Sequence, residues 1–448
     1  MKCACRKKSI CKGLILFVIV QIVLIPFVYK GTYLQSGSND RKVGRDIQAK
    51  FESMTFHEGK QTSMPKMNTT SPQNDTKRDT ERINGYQFAD TVRKTCVSRY
   101  NLYNAPRNKM HFIRNGKVKM CAIEKIGSTF WRRVFAILIT SGFSRFKTPF
   151  DIPPGTALQL RRKFTYNYTD YRESEFSFMF VRNPWSRLLS TFIDKLVPPN
   201  PFFWDLLGKN AVKKFRQPNN TDRGVKITGH DVTFSEYVQY VIYMEKSINE
   251  KDGHVQSIKH CCQACNQSYT FIGRMEQFKD DSFDVLKEIG LSDVVERMNT
   301  TFEALSAEDA IADTIKDAFS WKRAITKVIT WDKALKRLWL KLQMRGLISA
   351  GIDPKLNEHD LHRMRSIQFL EMAKKAHRQS DPSKLKEQKD MVKKEAFDSV
   401  PLSVLKHFAS VYIDDFTLFG YEPYPSKYFN RDEQPILPNM FFNYNHLN

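Results

Sequence analysis

Two short stretches carry residue types whose spacing suits the holding of an anion. The first is Cys121–Phe135, CAIEKIGSTFWRRVF; the second is Arg182–Ser190, RNPWSRLLS. In the first, an apolar run meets Lys125, Gly127, Ser128 and Thr129 before a helical pattern begins. Unpaired amides at a helix start, with the positive end of the helix dipole, attract negative charge. Gly127 lets backbone come close to such a group. Ser128 and Thr129 add hydroxyl donors and Lys125 a full charge. Charge-assisted hydrogen bonds contribute about 1.5–3 kcal/mol each, so three or four would hold a doubly charged group at micromolar strength. In the second stretch Arg182 follows the apolar run FSFMFV, and Ser190 lies about two helical turns further on. An arginine and a serine so placed can grip one terminal phosphate from two sides. Two such strand–helix junctions in one sheet imply a ligand with two separated phosphates. Neither stretch has the glycine-rich P-loop pattern.

The elements that must position these residues read as α/β. Lys117–Ile123 and the nearly unbroken apolar Phe176–Val181 suit strands of a parallel sheet, and Tyr269–Ile272 is a third, shorter candidate. Helices are expected from about Thr129 to Thr140, with Phe130, Trp131, Val134, Phe135, Leu138 and Ile139 on a broad buried face, and from Pro184 to Leu196. Thr233-Phe-Ser-Glu236 has the form of a capping box, and Phe283–Ile289 reads as a helix ended by Gly290. Arg182 then stands at the carboxyl end of a buried strand, where open α/β sheets bind ligands. The stretch from about Ala304 to Phe397 is charge-rich and helical, with Trp321, Trp331 and Trp339 to pack it. It reads as an insertion or subdomain with little chemistry. Apolar density returns over Leu402–Tyr421.

The 448 residues allow one large domain or two ordinary ones, with length left for appendages. The net charge of +23, from 71 Lys and Arg against 48 Asp and Glu, points to polyanionic partners. Compartment narrows these. Gly13–Tyr29 is an apolar run broken only by Gln21; as a helix it spans roughly 25 Å, close to the roughly 27 Å core of an early secretory membrane. Lys2, Arg6, Lys7, Lys8 and Lys12 precede it, so the positive-inside rule puts residues 1–12 in the cytosol and everything after Lys30 in the lumen. No small-x-small cleavage site follows, which favours a signal anchor over a cleaved signal peptide. Sequons begin at Asn68, Asn74, Asn167, Asn219, Asn266 and Asn299, all beyond the anchor. Cys3, Cys5 and Cys11 precede or border the anchor and suit palmitoylation. Cys96, Cys121, Cys261, Cys262 and Cys265 lie on the luminal side, where disulfides form and one of five is left over. Cys262-x-x-Cys265 has the spacing of half a zinc site but lacks a second ligand pair, and disulfide bonding suits it better. Residues 30–95 are polar and aperiodic, a flexible stem. A luminal body removes nucleic acid from the partners.

The sequence resembles the membrane-bound Golgi carbohydrate sulfotransferases, specifically the group with the HNK-1, chondroitin 4-O and dermatan 4-O enzymes. Their 5′-phosphosulfate motif, approximately Pro-Lys-Val-Gly-Cys-Thr-Asn-Trp-Lys-Arg, is similar to the first stretch through Lys125, Gly127, Thr129, Trp131 and Arg133. Their 3′-phosphate motif, approximately Arg-Asp-Pro-Phe-Glu-Arg-Leu-Val-Ser, is matched by Arg182, Pro184, Arg187, Leu188 and Ser190. Cys262-Gln-Ala-Cys265 with Tyr269-Thr-Phe-Ile-Gly-Arg-Met-Glu276, and the closing Tyr412–Tyr421, look like two further blocks of the family.

The resemblance implies a three-layer, P-loop-like sulfotransferase fold on a central parallel sheet, over residues 96–425, with 426–448 a C-terminal tail. It implies a type II Golgi membrane glycoprotein that transfers a sulfuryl group from 3′-phosphoadenosine 5′-phosphosulfate to a glycan hydroxyl, with no metal. Acceptors would be acidic polysaccharide or glycoprotein glycans. The donor would be held by Lys125, Ile126, Gly127, Ser128, Thr129 and Phe130 at one end and by Arg182, Arg187 and Ser190 at the other. Lys125 would stabilise the leaving group, as positioned cations do in phosphoryl transfer. His254, in Asn249–His254, stands where the family places a His-Trp pair and would be the general base, with Glu276 a weaker alternative.

The chain departs from the motifs at Glu124 for proline, Ser128 for cysteine, Phe130 for asparagine and Val255 for tryptophan. Glu124 must face away or pair with Arg132 or Arg133 if the loop is to bind an anion. A catalytically weak glycan-binding protein on the same fold is the alternative these changes keep open. A P-loop kinase lacks support in the motifs. A metal-dependent Golgi glycosyltransferase usually carries Asp-x-Asp, which is absent here.

Overall fold

The computed structural model describes residues 82–99, 112–115, 118–139, 146–157, 159, 165–166, 176–217, 226–247, 252–356 and 363–444. The expected cytosolic tail, signal anchor and stem up to residue 81 lie outside the described residues. So do Cys3, Cys5, Cys11 and the sequons at Asn68, Asn74, Asn167 and Asn219. Among the described residues no helix is long and apolar enough to cross a membrane.

The sheet has five strands: β1 (Phe112–Asn115), β2 (Val118–Cys121), β3 (Thr165–Tyr166), β4 (Phe176–Val181) and β5 (Phe271–Arg274), in the order β3-β1-β2-β4-β5. β2, β4 and β5 run parallel, with Cys121 opposite Met179 and Val181 opposite Arg274. All six residues of β4 are buried, which is why that strand is apolar throughout. The expected parallel sheet is therefore three strands wide. β1 adds to β2 antiparallel, β3 adds to β1 antiparallel, and β5 starts two residues later than expected.

Among the described residues there are ten helices of ten or more residues. They are α1 (Gly85–Arg99), α2 (Ser128–Ile139), α3 (Pro184–Lys195), α4 (Phe234–Lys246), α5 (Phe278–Glu288), α6 (Phe302–Ser320), α7 (Trp331–Met344), α8 (Ser366–Gln379), α9 (Pro382–Asp398) and α10 (Leu402–Val411). α3 starts where Asn183 accepts from the amides of Trp185 and Ser186, with Pro184 at the first helical position. α4 starts on the expected capping box, Thr233 with Glu236.

Two expected boundaries are corrected. The stem does not extend to residue 95: α1 buries Phe88, Ala89, Val92 and Cys96 in the core around the sheet. Its apolar residues, spaced at helical intervals, find a partner in β5. The region from Ala304 to Phe397, expected as an insertion or subdomain with little chemistry, shares one apolar core with α3 and α4 through α6, α7, α8 and α9. Trp331 and Trp339 are buried there, whereas Trp321 is exposed. Arg337 of α7 is fully buried and donates to the carbonyls of Val197, Leu196 and His230. Residues 426–444 are not a loose tail either. Tyr428, Phe441, Phe442 and Tyr444 join the same core, and Glu395 of α9 accepts from the amides of Met440, Phe441 and Phe442.

Two disulfides, Cys96–Cys265 and Cys121–Cys262, tie α1 and β2 to the segment before β5, and Cys261 stays outside both. Cys262 and Cys265 thus pair with distant cysteines, which removes the half zinc site. Among the described residues no cluster of His, Cys, Asp and Glu could hold a metal ion.

Candidate active site

The carboxyl ends of β2, β4 and β5 lie along one edge of the sheet, and the loop after β2 turns sharply there. Lys125 and Gly127 both take left-handed backbone, with φ of 68° and 69°. At Gly127 a Cβ would come within 2.4 Å of the Phe278 ring, so shape as well as conformation calls for glycine. Ile126 is buried, and its side chain packs in the core around the sheet. The first backbone bond of α2 runs from the Trp131 amide to the Gly127 carbonyl, so the amides of Ser128, Thr129 and Phe130 precede it.

Glu124 resolves as an internal ion pair. Arg132 binds it with both terminal nitrogens, and Ser128 donates its hydroxyl to the same carboxylate at 2.8 Å. Burial favours the neutral acid, but the charges of Arg132 and His254 and these hydrogen bonds hold Glu124 well below the usual carboxylate range. The Ser128 hydroxyl is thereby taken up within the protein. Arg133 pairs elsewhere, donating twice to Asp309 of α6 at 2.8 Å. Phe130, in the asparagine position, lies edge-on to Trp131, Phe278 and Phe302 in an aromatic cluster.

At the end of β4, Arg182 donates to the Lys125 carbonyl at 3.0 Å, so the two strand-end segments touch. Burial lowers the Arg182 guanidinium to about 10. Ser186 and Ser190, one turn apart on α3, face the same space. Arg187 does not. It is 3% exposed and donates to the carbonyls of Glu124, Gln256 and Gly253. Its side chain braces the first loop against the His254 segment and does not line the cavity described below.

A cavity of about 520 Å³ opens between these segments, lined by Lys125, Gly127, Ser128, Thr129, Phe130, Arg182, Ser190 and His254. α3, α6, α9 and the end of α7 supply much of the rest of its wall, together with Phe150, Met275, Phe278 and Tyr428. Within it Asp194, in the last turn of α3, receives Lys125 at 2.8 Å, Lys195 at 3.2 Å and Lys341 of α7 at 2.7 Å. Burial pushes Lys125 down to about 8, against the upward pull of Asp194. Burial would raise Asp194, but the three lysines and Arg345 hold it well below the carboxylate range.

His254 also faces the cavity. Its Nδ1 lies 2.8 Å from the Asp252 carboxylate, whose Oδ1 also accepts the His254 amide. Asp252 is buried, which favours its neutral form. The His254 contacts outweigh this and lower it. An imidazole that donates from Nδ1 to this carboxylate and is otherwise unprotonated offers Nε2 as an acceptor. The neighbouring Val255 is a core residue whose carbonyl accepts the Tyr412 hydroxyl at 2.7 Å. Asp415 accepts Ser257 Oγ and the amides of Ile258 and Lys259, and Glu276 accepts the Asn183 amide and the Tyr421 hydroxyl. The Tyr412–Tyr421 block thus supports the site from behind, and Glu276 is engaged in that support.

The sequence profile of the sulfotransferase family matches residues 110–341, more than half of the chain. The chain belongs to the sulfotransferase family. Among curated relatives of this sulfotransferase, it is 28% identical to rat carbohydrate sulfotransferase 11 over 220 residues, 46% of this chain and 60% of that one. It is 30% identical to human carbohydrate sulfotransferase 8 over 168 residues, 37% of this chain and 39% of that one. With human carbohydrate sulfotransferase 10 it shares 24% over 195 residues, 40% of this chain and 52% of that one. The chain thus spans 60% or less of the length of these relatives. No solved structure matches it.

Five polar residues of the site escaped sequence reasoning. Asp252, two residues before His254, and the Asp194-Lys195 pair closing the second stretch were within reach of local pattern. Lys341 and Arg345 had no local signal, since the contact of Lys341 with Asp194 spans 147 positions.

Proposed function

We propose that this protein is a carbohydrate O-sulfotransferase that uses 3′-phosphoadenosine 5′-phosphosulfate and acts on a glycan hydroxyl in the Golgi lumen. In this reading residues 13–29 anchor it as a single-pass type II membrane glycoprotein, and the fold is the three-layer arrangement of its family. The observation that carries the reading is that Lys125 and Arg182, from two different strand ends, line one cavity and are joined through the Lys125 carbonyl.

The donor has two anionic ends, and the residues present fit both. Lys125, Thr129 and the amides opening α2 suit the phosphosulfate, while Arg182 and Ser190 suit the 3′-phosphate. A cavity of about 520 Å³ is in the usual range for a ligand of that size. When bound, the donor supplies the sulfuryl group. Lys125, held by Asp194, offers a preorganised cation where charge develops on the leaving phosphate. His254, oriented by Asp252, offers Nε2 to take the proton from an acceptor hydroxyl.

Titration with adenosine 3′,5′-bisphosphate tests the donor site. Micromolar binding that Arg182→Ala abolishes supports the transferase. A protein that binds glycans but no nucleotide would be the weakly catalytic glycan-binding member of the family instead. Sulfate-transfer assays over a panel of desulfated glycans would then name the acceptor.

A further inference from the structure

Beyond the strand-end motifs, two cationic side chains lining the cavity, Arg345 and Lys389, have no hydrogen-bond or ion-pair partner among the described residues. Arg345 caps the C-terminal end of α7 and is exposed to the cavity. Among the described residues its guanidinium has no hydrogen-bond or ion-pair partner. Its charge acts on both ends of the site: it adds to the forces that lower Lys125 and Arg182, and it helps to hold Asp194 ionised. Apart from Lys389, the lysines and arginines around the loop and α3 are answered. Lys125, Lys195 and Lys341 share Asp194, and Arg133 has Asp309. An exposed guanidinium beside several like charges adds to the local positive potential, which attracts an anion.

The fold fixes this position firmly. Gly346 follows with φ of 65°, its amide bonds to the Gln343 carbonyl and the Leu347 amide to the Leu342 carbonyl, so α7 stops there. A Cβ at Gly346 would lie 2.6 Å from Lys389 Cγ and 3.1 Å from the Leu385 carbonyl oxygen, so the helix end is pressed against α9. The family profile ends at residue 341, before this arginine.

We propose that Arg345 is a third cationic residue of the donor site, after Lys125 and Arg182, closing on a phosphate group from the end of α7. The inference rests on the donor reading above. It adds a side chain from a helical region outside the strand–loop–helix motifs, and makes α7 part of the nucleotide site rather than a scaffold alone.

Calorimetric titration of the full chain with adenosine 3′,5′-bisphosphate tests it, comparing the parent with Arg345→Met, Arg345→Lys and Arg182→Ala. Arg345→Met is expected to weaken binding about tenfold or more, with Arg345→Lys between it and the parent and unfolding temperatures unchanged. Parent-like nucleotide affinity in Arg345→Met overturns the inference while leaving the donor reading intact. If that variant instead raises only the KM for an acidic glycan, the anion belongs to the acceptor, and the inference is overturned. No nucleotide binding by the parent overturns the donor reading and this inference together, whereas loss in Arg182→Ala alone overturns only this one.

Discussion

Lys125 and Asp194 meet at 2.8 Å, an ammonium from the loop after β2 and a carboxylate from the end of α3. Asp194 also takes Lys195 and Lys341, so one carboxylate organises three cations drawn from three places in the chain. The cluster keeps a surplus of positive charge while fixing where each charge stands. That is the arrangement preorganised electrostatic stabilisation requires.

The pH dependence of turnover should report this pair. In the proposed role Lys125 is a cation, so its contribution should be present below its pKa and be lost as pH rises through about 8. Asp194 is the main influence opposing desolvation, while Lys195 and Arg345 push the same way as burial. Asp194→Asn should therefore move the alkaline limb of kcat/KM down by about one pH unit or more. Activity near pH 8 should fall most. A pH–rate profile whose alkaline limb stays in place in Asp194→Asn would remove this role.

The His254–Asp252 pair makes a second expectation. Loss of a general base lowers turnover by about 10²–10⁴-fold, and loss of the group that orients it acts through the same step. His254→Ala and Asp252→Asn should each lower kcat with nucleotide affinity unchanged. The double variant should be little worse than His254→Ala alone. Multiplicative losses in the double variant, or full transfer by His254→Ala, would refute the dyad.

How much of this could be read in advance depends on how local the signal is. β2, β4 and β5 announced themselves as apolar runs, whereas Thr165–Tyr166 is too short for any period to show. The placement of Lys125, Arg182 and Ser190 at one edge follows from strand–loop–helix order. Arg187 shows the limit: the family resemblance implies a place for it beside Arg182, but only the fold reveals that three backbone carbonyls surround its guanidinium. The aromatic residues Phe441, Phe442 and Tyr444 were an available warning that the C-terminus packs. Their partners, Phe192 and Phe234 among them, lie far away in sequence.

The loop's glycine separates two kinds of constraint. Gly127→Ala meets both a left-handed φ and the Phe278 ring, so it should cost about 1–3 kcal/mol and weaken nucleotide binding as the loop shifts. Adding Phe278→Leu frees space but leaves the backbone strain. The pair should therefore recover only part of the unfolding temperature. Full recovery in the double variant would mean that crowding alone demands glycine, and no loss in Gly127→Ala would mean that the loop is not held as described.

Removal of residues 426–448 gives the most direct test of the fold. Deletion takes Tyr428, Phe441, Phe442 and Tyr444 out of the core and leaves Glu395 without the three amides it accepts. Burying a large apolar side chain is worth about 1.5–3 kcal/mol, so four approach the whole stability of an ordinary domain, about 5–15 kcal/mol. The truncated chain should fail to fold or melt far below the parent, as followed by circular dichroism or calorimetry. Truncation after Tyr444 removes none of these side chains and should leave the unfolding temperature within a degree or two. Equal stability of the two truncations would show that the C-terminal aromatics do not hold the helical core together.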